Sequence, residues 1–203
     1  GLSDSALYCG TGSSNAAGDV SVTNSRIHID AQYREAVRFR YVASGSTHLY
    51  KNNIIVFTAY NYYAFNGYSS LNGGSSFTIS RNTIIGKASG STAIFTGDTN
   101  SNNTYDINRN LIAGGFDFAV SYSSANPVHT ITNNFMRTSS HWDGVGGSGG
   151  GGTYDTASEN LYEAGDGSPD NFGATWDTGL IFNGYATNDF SFAETSGFPS
   201  LAQ

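Results

Sequence analysis

One phrase of ten residues recurs along the chain. It reads FTISRNTIIG from Phe77 to Gly86, YDINRNLIAG from Tyr105 to Gly114, and more loosely HTITNNFMRT from His129 to Thr138. Each copy is a short apolar alternation, a polar corner carrying Asn, and a second short apolar run. Related copies stand upstream as VSVTNSRIHI (Val20 to Ile29) and HLYKNNIIVF (His48 to Phe57), and a degraded one downstream as YDTASENLYEAG (Tyr154 to Gly165). With the corner as register mark, Ser25, Asn53, Asn82, Asn110, Asn134 and Asn160 are separated by 28, 29, 28, 24 and 26 residues.

A period of this length signals stacked repeats rather than a single globular core. Within each copy the periodicity is two, so the units are strands. The repeat is too long for one strand and too short for a strand with a packed crossover helix. One coil of a parallel β-helix per repeat satisfies both limits. A stacked corner accounts for the Asn: it tolerates a left-handed backbone, and its amide both donates and accepts along the stack. Like amides then form a ladder, a structural role.

A second register keeps step with the first. Ala6-Leu7-Tyr8, Ala36-Val37-Arg38, Ala64-Phe65-Asn66, Ala93-Ile94-Phe95 and Ala119-Val120-Ser121 each place Ala, a large apolar residue and a variable one. Alternation puts Leu7, Val37, Phe65, Ile94 and Val120 inside, with Tyr8, Arg38, Asn66, Phe95 and Ser121 facing solvent.

The Ala-led strand, the short strand and Asn corner, and the apolar strand after it resemble the repeat of the right-handed parallel β-helix superfamily. That superfamily includes pectate-lyase-like polysaccharide lyases, some glycoside hydrolases and phage tailspikes. The resemblance spans about residues 6–165 and implies an all-β solenoid of about six to seven coils. It says little about activity, because one fold hosts many. The expected organisation is one domain over residues 1–203, with an irregular C-terminal coil and cap at about 166–203. In that last part LIFNGY (Leu180 to Tyr185) reads as a seventh coil strand. No amphipathic helix precedes Ala6. The first coil is therefore capped by extended residues, covered by another chain, or preceded by missing N-terminal coils of a longer β-helix, the last being the expectation.

Composition bounds the function. Sixteen Asp and Glu against nine Lys and Arg give a net charge of −7, which argues against nucleic acid as a partner. No apolar run approaches membrane-spanning length. Cys9 is the only cysteine, so no internal disulfide forms, and its inward register makes it a buried small residue. With charged residues at 12% and many Gly, Ser, Thr and Asn, the chain reads as extracellular.

The densest chemistry lies in the second coil, YREAVRFRY from Tyr33 to Tyr41. Arg38 and Arg40 stand outward beside Tyr8 below and Asn66 and Tyr68 above, with Phe95 and Asp98 a coil further and Asp117 near the next entry. Such a strip suits a polysaccharide: aromatic faces for sugar rings, Arg for carboxylate or sulfate, Asp for hydroxyls or Ca²⁺. In the pectate-lyase-like enzymes that the repeat resembles, an Arg or Lys acts as base at a sugar C5 while a cation neutralises the uronate. Arg38 and Arg40 take that role by position on the face alone. The plain alternative is a solvated strand whose Arg residues pair with Glu35. A hydrolase would use the carboxylates Asp98 and Asp117.

Tyr60, Tyr62 and Tyr63, ahead of the third Ala-led strand, read as a stacking platform beside this groove or as packing of a long loop. His141 and Trp142, with Asp143, form a second candidate site at the base of the glycine run 145–152, where Trp stacks a sugar and His with Asp transfers a proton. His48 and His129 fall in one column with Val20, Phe77 and Tyr105. No His has a second ligand at zinc spacing, so no metal site is assigned. No cofactor is assigned either; Ca²⁺ is the candidate, although Asp166, Asp170 and Asp177 lack a regular Ca²⁺-loop spacing. The expectation is a polysaccharide-engaging β-helix, a lyase or glycoside hydrolase if it is an enzyme. The alternative is a non-catalytic tailspike, adhesin or filament subunit.

Overall fold

The period-two segments become parallel strands. The computed structural model describes residues 5–10, 16–67, 73–97, 102–122, 127–137, 140–143, 156–158, 161–162, 182–184 and 189–192. In chain order the strands are β1 (Ser5–Cys9), β2 (Val20–Thr23), β3 (Arg26–Ile29), β4 (Glu35–Phe39), β5 (Thr47–Lys51), β6 (Ile54–Phe57), β7 (Asn61–Gly67), β8 (Ser76–Ser80) and β9 (Thr83–Thr96). They continue as β10 (Thr104–Asn108), β11 (Leu111–Tyr122), β12 (Val128–Thr132), β13 (Phe135–Arg137), β14 (Ser140–Asp143), β15 (Thr156–Ser158) and β16 (Leu161–Tyr162).

Strands of successive coils stack in three files. One file runs β2, β5, β8, β10, β12 and β15, each pair parallel. A second runs β1, β4, β7 and then the later halves of β9 and β11. A third runs β3, β6, the early halves of β9 and β11, β13 and β16. This is a parallel β-solenoid, an all-β fold of the parallel β-helix type. Between β2 and β12 the chain winds about four turns, against the six to seven expected from spacing. The sixth corner, at Asn160, lies outside the described residues. Phe182–Gly184, expected as a strand of a seventh coil, instead pairs antiparallel with Asp189–Phe192.

The corner between the first and third files is the Asn ladder. Asn53 Nδ2 donates to Asn82 Oδ1, Asn82 Nδ2 to Asn110 Oδ1 and Asn110 Nδ2 to Asn134 Oδ1, each at 3.0 Å. The same Nδ2 groups donate to Val22 O, Tyr50 O and Ile79 O, and each Oδ1 also accepts the backbone N–H of the rung below. A buried amide is thereby satisfied on both sides, as burial requires. The left-handed backbone belongs to the residue before: Asn24, Asn52, Arg81, Arg109 and Asn133 have φ of 52° to 57°. The expectation that the ladder Asn itself bends the chain is corrected by one position.

Inside, like stacks on like. His48, Phe77, Tyr105 and His129 form one column, with ring centroids 4.8, 4.7 and 5.1 Å apart and interplanar angles of 8° to 13°. All four are at most 3% exposed. Tyr50, Ile79, Ile107 and Ile131 form a second column, and Ile55, Ile84, Ile112 and Met136 a third. Leu7, Val37, Phe65, Ile94 and Val120 share a register as expected, and all but the half-buried Leu7 are fully buried. Cys9 is buried, and burial pushes its thiol pKa up.

β9 and β11 are long because they round the bend between two files. In β11 the register shifts between Gly114 and Phe116. Gly114 has φ +109°, and a Cβ there would lie 2.0 Å from Gly86 O, so only glycine lets the two backbones approach. Phe116 then turns inward to meet Phe57 edge-on at 5.8 Å.

Candidate functional site

Register brings the outward row together. Tyr8 pairs with Arg38, Arg38 with Asn66, Asn66 with Phe95 and Phe95 with Ser121, and Asp143 follows on β14. The row is less open than alternation implies. Tyr8, Arg38 and Phe95 are half-buried, but Asn66 is 2% and Ser121 8% exposed. For Asn66 the cause is Glu35, which opens β4 and folds across the row. Its carboxylate accepts from Asn66 Nδ2 at 2.7 Å and from Ser5 Oγ at 3.1 Å, and lies 3.7 Å from Arg38 Nε. Glu35 itself is 4% exposed. Asn66 thus holds a carboxylate and does not face solvent as expected.

The cations flank Tyr8. The Arg38 guanidinium lies 5.8 Å from the Tyr8 ring centre, a cation–π distance. Arg40 is exposed at the end of β4, 5.7 Å from the centre of Tyr41, and its hydrogen bond to Tyr8 raises its pKa. Asp117 is exposed on β11, and among the described residues nothing joins it to Arg38 or Arg40. Tyr68 and Asp98 lie outside the described residues, as do Asp166, Asp170 and Asp177. His141 and Trp142 lie on β14, where Trp142 pairs in register with Val120. Among the described residues no three His, Cys, Asp or Glu side chains gather as metal ligands.

Beside the middle of the row, in the coils of Arg38 and Asn66, stands an aromatic cluster. Tyr63 stacks on Phe95 at 5.0 Å and 23°, and Tyr62 on Tyr63 at 6.0 Å and 27°. Tyr60 and Tyr62 each meet Tyr33, at 5.3 and 5.6 Å. Tyr33 is 52% and Tyr62 40% exposed, the two most exposed large apolar side chains among the described residues. Tyr33 also has φ +56°, a rare backbone for an aromatic residue. Its N–H bonds Tyr60 O at 2.9 Å, which fixes it against the neighbouring coil. Strain of this kind gathers where function needs a side chain held in place.

Tyr33 and Glu35 are the members of this surface that sequence reasoning undervalued. Glu35 occupies the same register as Tyr63, two residues before the inward column, and both turn toward the outward row. That equivalence is readable from the repeat. The positive φ of Tyr33 is not.

Fold and surface together define a parallel β-solenoid whose one outward strand file carries an aromatic and cationic strip. Comparison with known proteins adds nothing narrower: no family model matches the chain, nor does any curated protein or solved structure.

Proposed function

We propose that this protein engages polysaccharide along the strip from Tyr33 to Tyr8. The observation that carries the reading is the cluster of Tyr33, Tyr60, Tyr62 and Tyr63, with Tyr33 and Tyr62 exposed, which reaches Phe95 through Tyr63; the half-buried Arg38 and Tyr8 lie in the same row, beyond the buried Asn66. Partly exposed rings present π faces to the C–H faces of sugars, and a phenol adds a hydrogen bond at its edge. The exposed Arg40 supplies a cation for a carboxylate or sulfate further along the chain. A composition low in charge and rich in Gly, Ser, Thr and Asn supports a secreted setting for such a surface.

Cleavage is the second reading, favoured by Glu35. A buried carboxylate held by Ser5, Asn66 and Arg38 beside a sugar platform is a candidate acid or base for a hydrolase, and Arg38 or Arg40 would serve a lyase. The first experiment incubates the protein with uronate-containing, sulfated and neutral polysaccharides, with and without Ca²⁺. Affinity, new reducing ends and ultraviolet absorbance of unsaturated sugars are followed together. Affinity lost about tenfold in Tyr62→Ala, with no new ends, establishes binding at the platform. Reducing ends abolished by Glu35→Gln establish a hydrolase, and ends with absorbance a lyase. No affinity for any of the polymers refutes the proposal and leaves the assembly role of a tailspike, adhesin or filament subunit.

A further inference from the structure

Seven of the nine cations fall in two groups. Arg38 and Arg40 belong to the strip and Arg34 lies beside them before β4, whereas Arg26, Lys51, Arg81 and Arg109 lie at the Asn-ladder corner, where the first strand file turns into the third. Lys51, Arg81 and Arg109 occupy three successive rungs. Arg81 and Arg109 hold equivalent places, each immediately before its ladder Asn, and successive rungs stand about 4.8 Å apart. Both are exposed. Among the described residues none of these three cations is paired with a carboxylate. Among the described residues the Arg109 guanidinium donates to Asn108 Oδ1, at 3.4 Å.

The backbone makes this placement informative. The position needs a left-handed conformation, φ 56° at Arg81 and 53° at Arg109, which Asn adopts far more readily than Arg. Asn24, Asn52 and Asn133 fill the same position on the other rungs. The fold alone is therefore served by Asn, and the two arginines are kept at adjacent rungs against local preference. Their forked donors suit sulfate or carboxylate oxygens. A net charge of −7 opposes double-stranded nucleic acid, with one charge per about 1.7 Å of axis, more strongly than a polysaccharide whose anionic groups are more widely spaced.

We propose that Lys51, Arg81 and Arg109 form a second contact site, for the sulfate or carboxylate groups of an anionic polysaccharide lying along the corner parallel to the stack. In its choice of polymer this rests on the polysaccharide reading, but the residues are separate from the aromatic strip.

The test compares wild type, Arg81→Asn/Arg109→Asn and Tyr62→Ala for affinity to dextran sulfate, neutral dextran and single-stranded DNA over a range of salt. Asn already fills this position on three rungs, so the double variant keeps or gains thermal stability. The expected result is at least tenfold weaker binding of dextran sulfate by the double variant, with a shallower salt dependence and neutral dextran unaffected. Unchanged affinity and salt slope in the double variant overturn the corner site whatever Tyr62→Ala does. Tyr62→Ala alone judges the platform. DNA bound by wild type as tightly as dextran sulfate, and lost in the double variant, overturns the assignment to polysaccharide.

Discussion

The molecule holds two aromatic assemblies that obey different rules. The inner column of His48, Phe77, Tyr105 and His129 stacks within 13° of parallel and is fully covered. The outer group of Tyr33, Tyr60, Tyr62 and Tyr63 meets at 27° to 77°, with Tyr33 52% and Tyr62 40% exposed. Inside, each ring sits above its equivalent one repeat earlier, so coil stacking sets the ring stacking. Outside, the rings come from non-equivalent positions, with Tyr33 in the loop before β4 and the others around the start of β7. The inner assembly serves the fold. The outer one has faces left for something else.

The sharpest way to break this contrast is to remove one ring from each. Phe77→Ala leaves a cavity between His48 and Tyr105 and is expected to cost about 3–5 kcal/mol, read as a lower midpoint in chemical denaturation. Asn110→Ala tests whether the adjoining ladder supports the column. It takes the acceptor from both the N–H and Nδ2 of Asn82 and the donor from Ile79 O, for about 3–4 kcal/mol. Near-ultraviolet circular dichroism should weaken with it if ring packing depends on the ladder.

Acid probes the inner column without mutation. Burial lowers the pKa of His48 from 6.5 to about 4, only partly opposed by Asp19, and its Nε2 bonds Ser46 Oγ at 2.8 Å. Between those values the unfolded chain takes up a proton that the folded chain refuses. Stability is therefore full above pH 6.5 and falls as pH drops, by on the order of 3 kcal/mol at pH 4. His48→Phe should reduce that slope by one proton; an unchanged slope would place the sensitivity elsewhere. The smallest effect is expected outside: Tyr62→Ala should change stability by less than about 0.5 kcal/mol, while weakening polysaccharide binding. A large loss of stability would make the outer group part of the fold after all.

The sequence was most legible where the repeat imposes equivalence. The Asn column, the Ala-led strands and the column of His48 with Phe77 all fall in the expected register. The role of the corner residues was misplaced by one because Asn52-Asn53 and Asn133-Asn134 put Asn at both positions. Only Arg81-Asn82 and Arg109-Asn110 separate the ladder amide from the left-handed residue. Alternation failed at Asn66 because one carboxylate from the coil below, Glu35, reaches across the row. The platform was half legible: Tyr60, Tyr62 and Tyr63 are neighbours in sequence, whereas Tyr33 joins them from a full coil away.

The ladder also has a direction. Each amide donates back to a carbonyl already made, as Asn82 does to Tyr50 and Asn110 to Ile79, but forward to an Oδ1 that has yet to be synthesised. A chain leaving the ribosome therefore carries, at its newest corner, one amide anchored to the completed coils and still lacking its forward acceptor. The arrival of the next Asn closes the coil beneath it, so the stack grows by the same step about every 28 residues, from the end that is made first.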